Sequence, residues 1–136
     1  MTTSEPSPAR GTVIRVDDVA PRTDLEGHPG CAAYQLARPP SDLSRWLHVT
    51  YNVFAPGGGI DPHYHEGIDA DHAYFVIEGR VWAQIGGDHF EVGPGGLMIF
   101  PCREVHGFSV LGPHGARILR LGAAADGRTS GGSVFV

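Results

Sequence analysis

Four histidines carry the chemistry that this sequence could do. His63 and His65 form an H-x-H pair, His72 follows shortly after, and His106 stands well downstream. A neutral imidazole offers a lone pair near neutral pH, which makes histidine the commonest side-chain ligand of transition metals. On an extended strand, residues two apart point to one face, so both rings of the pair can converge on one ion. A pair, a third at the start of the next strand and a distant fourth is how a β-barrel gathers ligands around its lumen. An H-x-H by itself is as often a solvated loop pair, so the reading rests on the whole set. His63, His65, His72 and His106 are the expected ligands of one divalent transition metal. Imidazole-rich sites suit Fe, Zn, Ni or Cu better than Mg or Ca.

Alternatives lie close by. Asp69 and Asp71 sit in the loop just before His72 and could supply a carboxylate in its place, although strand alternation turns Asp71 to the opposite face. Glu66 is on the wrong face beside His65. For His72 the plain alternative is a surface imidazole at a strand start. The remaining histidines read as ordinary. His28 and His114 sit in Gly/Pro loops, and His89 follows a hairpin turn. His48 shares alternation with Thr50, Asn52 and Phe54 and could line a pocket, but an outward-facing side chain is the expectation.

The elements that must position these residues are short strands. The chain has 20 Gly and 11 Pro in 136 residues, turn chemistry that suits many strands joined tightly. Strand patterns cover Thr12–Val16, Ala32–Leu36, Leu47–Phe54, Ala73–Ile77, Val81–Ile85, His89–Val92, Leu97–Phe100, Val105–Val110 and Arg117–Leu121. Pro56-Gly57-Gly58-Gly59, Glu78-Gly79, Gly86-Gly87-Asp88, Gly93-Pro94-Gly95-Gly96 and Gly112-Pro113 separate them. Gly86-Gly87 is a hairpin signal. No helix-period pattern of useful length occurs; Ser41–Leu47 is at most one turn. The expectation is an all-β sandwich or barrel, with no room for the crossover helices of a parallel sheet. The length fits one domain. Residues 1–10 read as a disordered tail, 11–122 as the barrel and 123–136 as a flexible segment in which Val134-Phe135-Val136 could dock as an edge strand.

Tyr74 and Val76 share the parity of His72, and Phe108 that of His106, so these three are expected to face the barrel interior. They are either an apolar wall for a small organic substrate or simply core. Cys102 adjoins His106 in sequence and reads as a small buried residue. No serine or cysteine pairs with a base outside the metal histidines, so the catalytic residues stay unknown and metal-centred. Gly57-Gly58-Gly59 precedes a strand, not a helix, and so lacks the phosphate-binding helix terminus.

Composition excludes several classes. Net charge is −5, with only 10 Lys and Arg and no basic stripe, which argues against nucleic acid or an anionic membrane as partner. No apolar run approaches a membrane span, and the first residues have no apolar segment of the secretory kind. Two cysteines, Cys31 and Cys102, fit free thiols in a reducing cytoplasm.

The spacings resemble a known family. Gly57-x5-His63-x-His65 followed by His72-x6-Gly79 is similar to the first cupin motif, G-x5-H-x-H-x3-4-E-x6-G. Gly95-x5-Pro101-x-Arg103-x2-His106 is similar to the second, G-x5-P-x-G-x2-H-x3-N. The resemblance covers about Val53 to Val110. It implies a small double-stranded β-helix, a jelly-roll or cupin barrel, around a metal. The sequence departs from the motifs in three places. His72 stands where glutamate is usual, with a longer loop before it. Arg103 replaces a glycine, and Val110 replaces an asparagine.

With four neutral imidazoles and no carboxylate, the ion would keep its full charge and act as a stronger Lewis acid. The resemblance implies a metal-dependent enzyme on a dicarbonyl or aromatic substrate. A dioxygenase-type oxidoreductase is the leading expectation, and a polyketide cyclase or isomerase the alternative. A non-catalytic metal- or metabolite-binding module is a third reading, and a metal-free epimerase-like cupin a fourth. A homodimer formed through edge strands is also expected.

Overall fold

In a computed structural model of the chain, the described residues are 11–38, 47–66, 71–123 and 132–136. They form ten strands: β1 (Cys31–Ala37), β2 (Leu47–Phe54), β3 (Gly59–His65), β4 (Asp71–Glu78), β5 (Arg80–Ile85), β6 (Asp88–Val92), β7 (Leu97–Pro101), β8 (His106–Leu111), β9 (Ala116–Ala123) and β10 (Ser133–Phe135). They pair into two sheets of five, ordered β1-β2-β9-β4-β7 and β10-β3-β8-β5-β6. Every named pairing is antiparallel. This is the all-β arrangement expected from the turn-rich sequence, in the jelly-roll form that the motif resemblance implies.

The turns follow from local chemistry. Gly86-Gly87 closes β5 onto β6, with Ile85 opposite Asp88 and Gly86 at φ 60°. Positive φ is costless for glycine, and it matches the strand twist of a two-residue hairpin. The core between the sheets is built from inward rungs: Phe54, Val76, Val81, Ala83, Met98, Phe100, Phe108, Val110 and Ile118.

One strand expectation changes, and one turn lies outside the described residues. Thr12–Val16 alternates like a strand, yet residues 11–15 lack strand pairing and Val16–Asp18 is a single 3-10 turn. Alternation makes a strand only where an edge accepts it. Here the chain reaches β1 later, through the Arg22–Ala33 bridge. The turn expected at Ser41–Leu47 falls mostly outside the described residues, and Leu47 itself begins β2.

Strand β2 also inverts the usual polarity. Its inward residues His48, Thr50 and Asn52 are each 4% exposed, whereas Val49, Tyr51 and Val53 face outward. His48 therefore points inward, against the sequence expectation. Alternation identifies two faces but not which of them is buried.

Candidate metal centre and its pocket

Three of the four expected ligands come together on the second sheet. His63 and His65 project inward from β3, and His106 from β8, where it lies directly opposite His63. A register shift between Ile60 and His63 makes this possible. Strict alternation from the buried Ile60 would turn His63 outward; the bulge at Asp61-Pro62 resets the parity, so His63 and His65 are both buried. Pro62 has no N–H for the ladder and is tolerated at such a bulge. Gly107 lets the strands approach there, since a Cβ on it would lie 2.6 Å from the Ile60 carbonyl oxygen.

Ligand atoms of His63, His65 and His106 all lie within 4.8 Å of one another, in the range that one ion can bridge. Each ring is held from behind at Nδ1. His63 Nδ1 donates to the Asp61 carbonyl at 2.8 Å, and His106 Nδ1 to the Glu104 carbonyl at 2.8 Å. His65 Nδ1 lies 3.3 Å from Ser133 Oγ on β10. Such contacts set the tautomer and leave the Nε2 lone pair toward the centre. His106 Nε2 is fully buried without a hydrogen-bond partner. An orphaned acceptor there is costly unless something else takes its lone pair, so the donor set fits a transition metal.

Burial favours the neutral form of His63 and His106. It lowers His63 below the ordinary histidine range, against the opposing pull of the Asp61 carbonyl. It lowers His106 to about 4, helped by the charges of His63, His65 and Arg120. A neutral imidazole is the ligating form.

His72 is buried too, at 1% exposure, but lies apart from the group of three. Its ring is 4.9 Å from His65 and 6.5 Å from His106. Its Nε2 accepts from Arg120 Nη2 at 2.8 Å. Asp71 is exposed on the outer face, as alternation requires, and Asp69 lies outside the described residues.

The centre opens into a cavity of about 410 Å³. Tyr74 lines it, while Val76 and Phe108 pack within the core cluster. Burial raises the Tyr74 hydroxyl, opposed by the charge of Arg120 and a hydrogen bond from it. Several lining residues escaped the sequence reading. Arg120 is one: it sits between Leu119 and Leu121 on β9, yet is 8% exposed and faces inward. His28 is another. Its Nδ1 donates to the Glu26 carbonyl at 2.7 Å, the same device that holds His63 and His106, and its ring is 6.5 Å from His63. The shared feature is a carbonyl two residues back, which no residue type reveals. Gly27, at φ 69°, leaves the room that Phe135 takes up beside it.

Solved structures share this architecture. The polyketide cyclase RemF from Streptomyces resistomycificus is 26% identical over 84% of this chain and 79% of its own, with TM-score 0.67. KdgF from Halomonas sp. is 22% identical over 85% and 97%, with TM-score 0.66. A predicted oxalate decarboxylase from Thermotoga maritima is 17% identical over 82% and 98%, with TM-score 0.71. The chain matches none of the curated proteins by sequence. The Cupin domain family pattern matches residues 51–121, more than half of the chain and the stretch that holds His63, His65, His72, His106 and Arg120, and the chain belongs to the cupin family.

Proposed function

We propose that this chain is a metal-dependent enzyme that polarises the carbonyl of a small dicarbonyl or aromatic substrate, as a cyclase or isomerase would. The observation that carries this reading is the buried, unpartnered Nε2 of His106 beside His63 and His65, each ring held at Nδ1. These three residues would hold the ion. A divalent ion held there would supply Lewis acidity toward a carbonyl oxygen.

The chain's own residues supply the rest. Arg120 and Tyr74 bring donors to the cavity wall. His28, held at Nδ1 by the Glu26 carbonyl, brings its other ring nitrogen to the cavity lining. Ile60, Leu25 and Phe135 add apolar lining to the cavity. Two things shift the preference from oxygen chemistry to carbonyl chemistry: the likeness to RemF at 26% identity, and a buried guanidinium suited to an enolate oxygen. The dioxygenase reading rests on the same imidazoles, since three ligands leave coordination positions for a chelating substrate and dioxygen.

The test is metal content by mass spectrometry, followed by anaerobic and aerobic turnover of a panel of 1,3-dicarbonyls, catechols and poly-β-ketones. Near one metal per chain and turnover without oxygen are expected. Stoichiometric oxygen uptake would install the dioxygenase, and no metal after reconstitution would overturn both. We also propose a homodimer. The outer face of the first sheet supports it: Phe75, Ile77, Leu97 and Ile99 stay between 38% and 54% exposed on neighbouring strands.

A further inference from the structure

The inner face of the first sheet carries a polar row that the metal reading does not use. His48, Thr50 and Asn52 alternate along β2, and all three line the cavity. A buried hydroxyl or carboxamide costs stability unless something bonds to it, so inward rungs of a small barrel are ordinarily apolar. Strand β2 returns to that rule one rung later, where Phe54 packs edge-on against Phe108 at 5.3 Å. The polar row ends where the cavity ends.

The register extends the row across the sheet. His48 lies opposite Gly122, and His72 lies beyond it on β4. Thr50 lies opposite Arg120, with Tyr74 beyond, and Asn52 lies opposite Ile118, with Val76 beyond. The rungs thus grade from polar at the open end to apolar at the core. Gly122 places no side chain between His48 and His72. Asn52 Oδ1 takes a long contact from the Cys31 thiol at 3.7 Å, which leaves its NH2 group to donate. His63, His65 and His106 come from the other sheet. The cavity therefore has two chemically different walls: a lone-pair wall on β3, where His63 and His65 line it in front of His106, and a hydrogen-bonding wall on β2 and β9.

We propose that His48, Thr50 and Asn52 form a second subsite that reads oxygens on the substrate edge remote from the histidine cluster. Its ligand is a flat, polyoxygenated carbonyl compound with oxygens on opposite edges, a hydroxyquinone or a folded poly-β-ketone rather than a simple diketone. Same-face positions on a strand repeat about every 7 Å, which suits oxygens spread over two fused rings. The cavity of about 410 Å³ holds a molecule of that size. For the near edge the inference rests on the metal reading; for the far edge it stands on β2.

Calorimetric titration of the zinc-loaded protein with two probes tests it. 2-Hydroxy-1,4-naphthoquinone reaches both walls, whereas acetohydroxamate is a small chelator that reaches the histidine wall alone. Thr50→Val and Asn52→Leu should each weaken the naphthoquinone about fivefold to tenfold, the loss of one buried hydrogen bond. Acetohydroxamate affinity, zinc content and melting temperature should stay at the wild-type level, and Thr50→Ser should retain naphthoquinone affinity. Unchanged naphthoquinone binding in both variants, equal loss of both probes, or no naphthoquinone binding to the wild type would overturn the subsite. Failure of the metal reading shows separately, as absent zinc and no acetohydroxamate binding. The naphthoquinone comparison between wild type and Asn52→Leu then still decides the subsite.

Discussion

Arg120 Nη2 donates to His72 Nε2 at 2.8 Å, so the nitrogen that would face an ion is already engaged by a buried cation. For His72 to join His63, His65 and His106, it must give up that bond. The expected outcome is graded. Alanine at His63, His65 or His106 should reduce bound metal to near none, while His72→Ala should leave metal bound with affinity lowered about tenfold or less, the smaller end of outer-shell effects. Metal content after dialysis against a chelator series reads both. Equal loss in all four variants would make His72 a full ligand.

Acid should destabilise the metal-free protein through His48. Burial, then the charges of Arg120 and Arg38, lowers this ring to about 3 from an ordinary 6.5. The unfolded chain binds the proton first, so stability is intact above pH 6.5 and is lost as pH falls from there toward 3. His106, lowered to about 4, adds a slope of the same sign. Urea unfolding at pH 7.5 and pH 5 should show the loss, and His48→Gln, which cannot take up the proton, should show less of it.

Phe100 supports the centre from behind. It is fully buried and stacks on His106 with ring centroids 4.7 Å apart. Phe100→Ala should cost about 3–5 kcal/mol, the usual range for a buried aromatic cut to alanine. It should also weaken metal binding, because His106 loses the surface that fixes its ring. Phe100→Leu should recover most of both in denaturation and metal titration.

The thiols should be inert in the folded chain. Cys31 and Cys102 are both buried and form no disulfide, and burial pushes the Cys31 thiol up to about 12. The thiolate is the reactive form. A disulfide reagent at pH 8 should therefore label neither cysteine until denaturant is added, then both at once. Fast labelling of the native protein would show that the barrel opens locally.

Light scattering should give the mass of two chains. Phe75 lies opposite Leu97, and with Ile77 and Ile99 these residues form an apolar outer face next to the β7 edge. A stable interface buries about 800 Å² per partner, which this face must supply with its neighbours. Leu97→Lys with Ile99→Lys should give monomers. If those variants stay dimeric and removal of residues 133–136 separates the chains, pairing runs through the β10 edge instead.

The histidine pair, its distant partner His106 and the turn-bounded strands were legible in the sequence, because they rest on local rules. Alternation places His63 and His65 on one face, glycines and prolines mark the turns, and the motif spacing ties the two halves of the site together. What alternation cannot state is which face is inside. On β2 the polar residues face the cavity and the apolar ones face outward, so His48, Thr50 and Asn52 took their places only when the sheets closed. Arg120, His28 and Ser133 entered the site by the same route. Each is brought there by pairing or packing with residues remote in the chain, and such neighbours exist only once the barrel has formed.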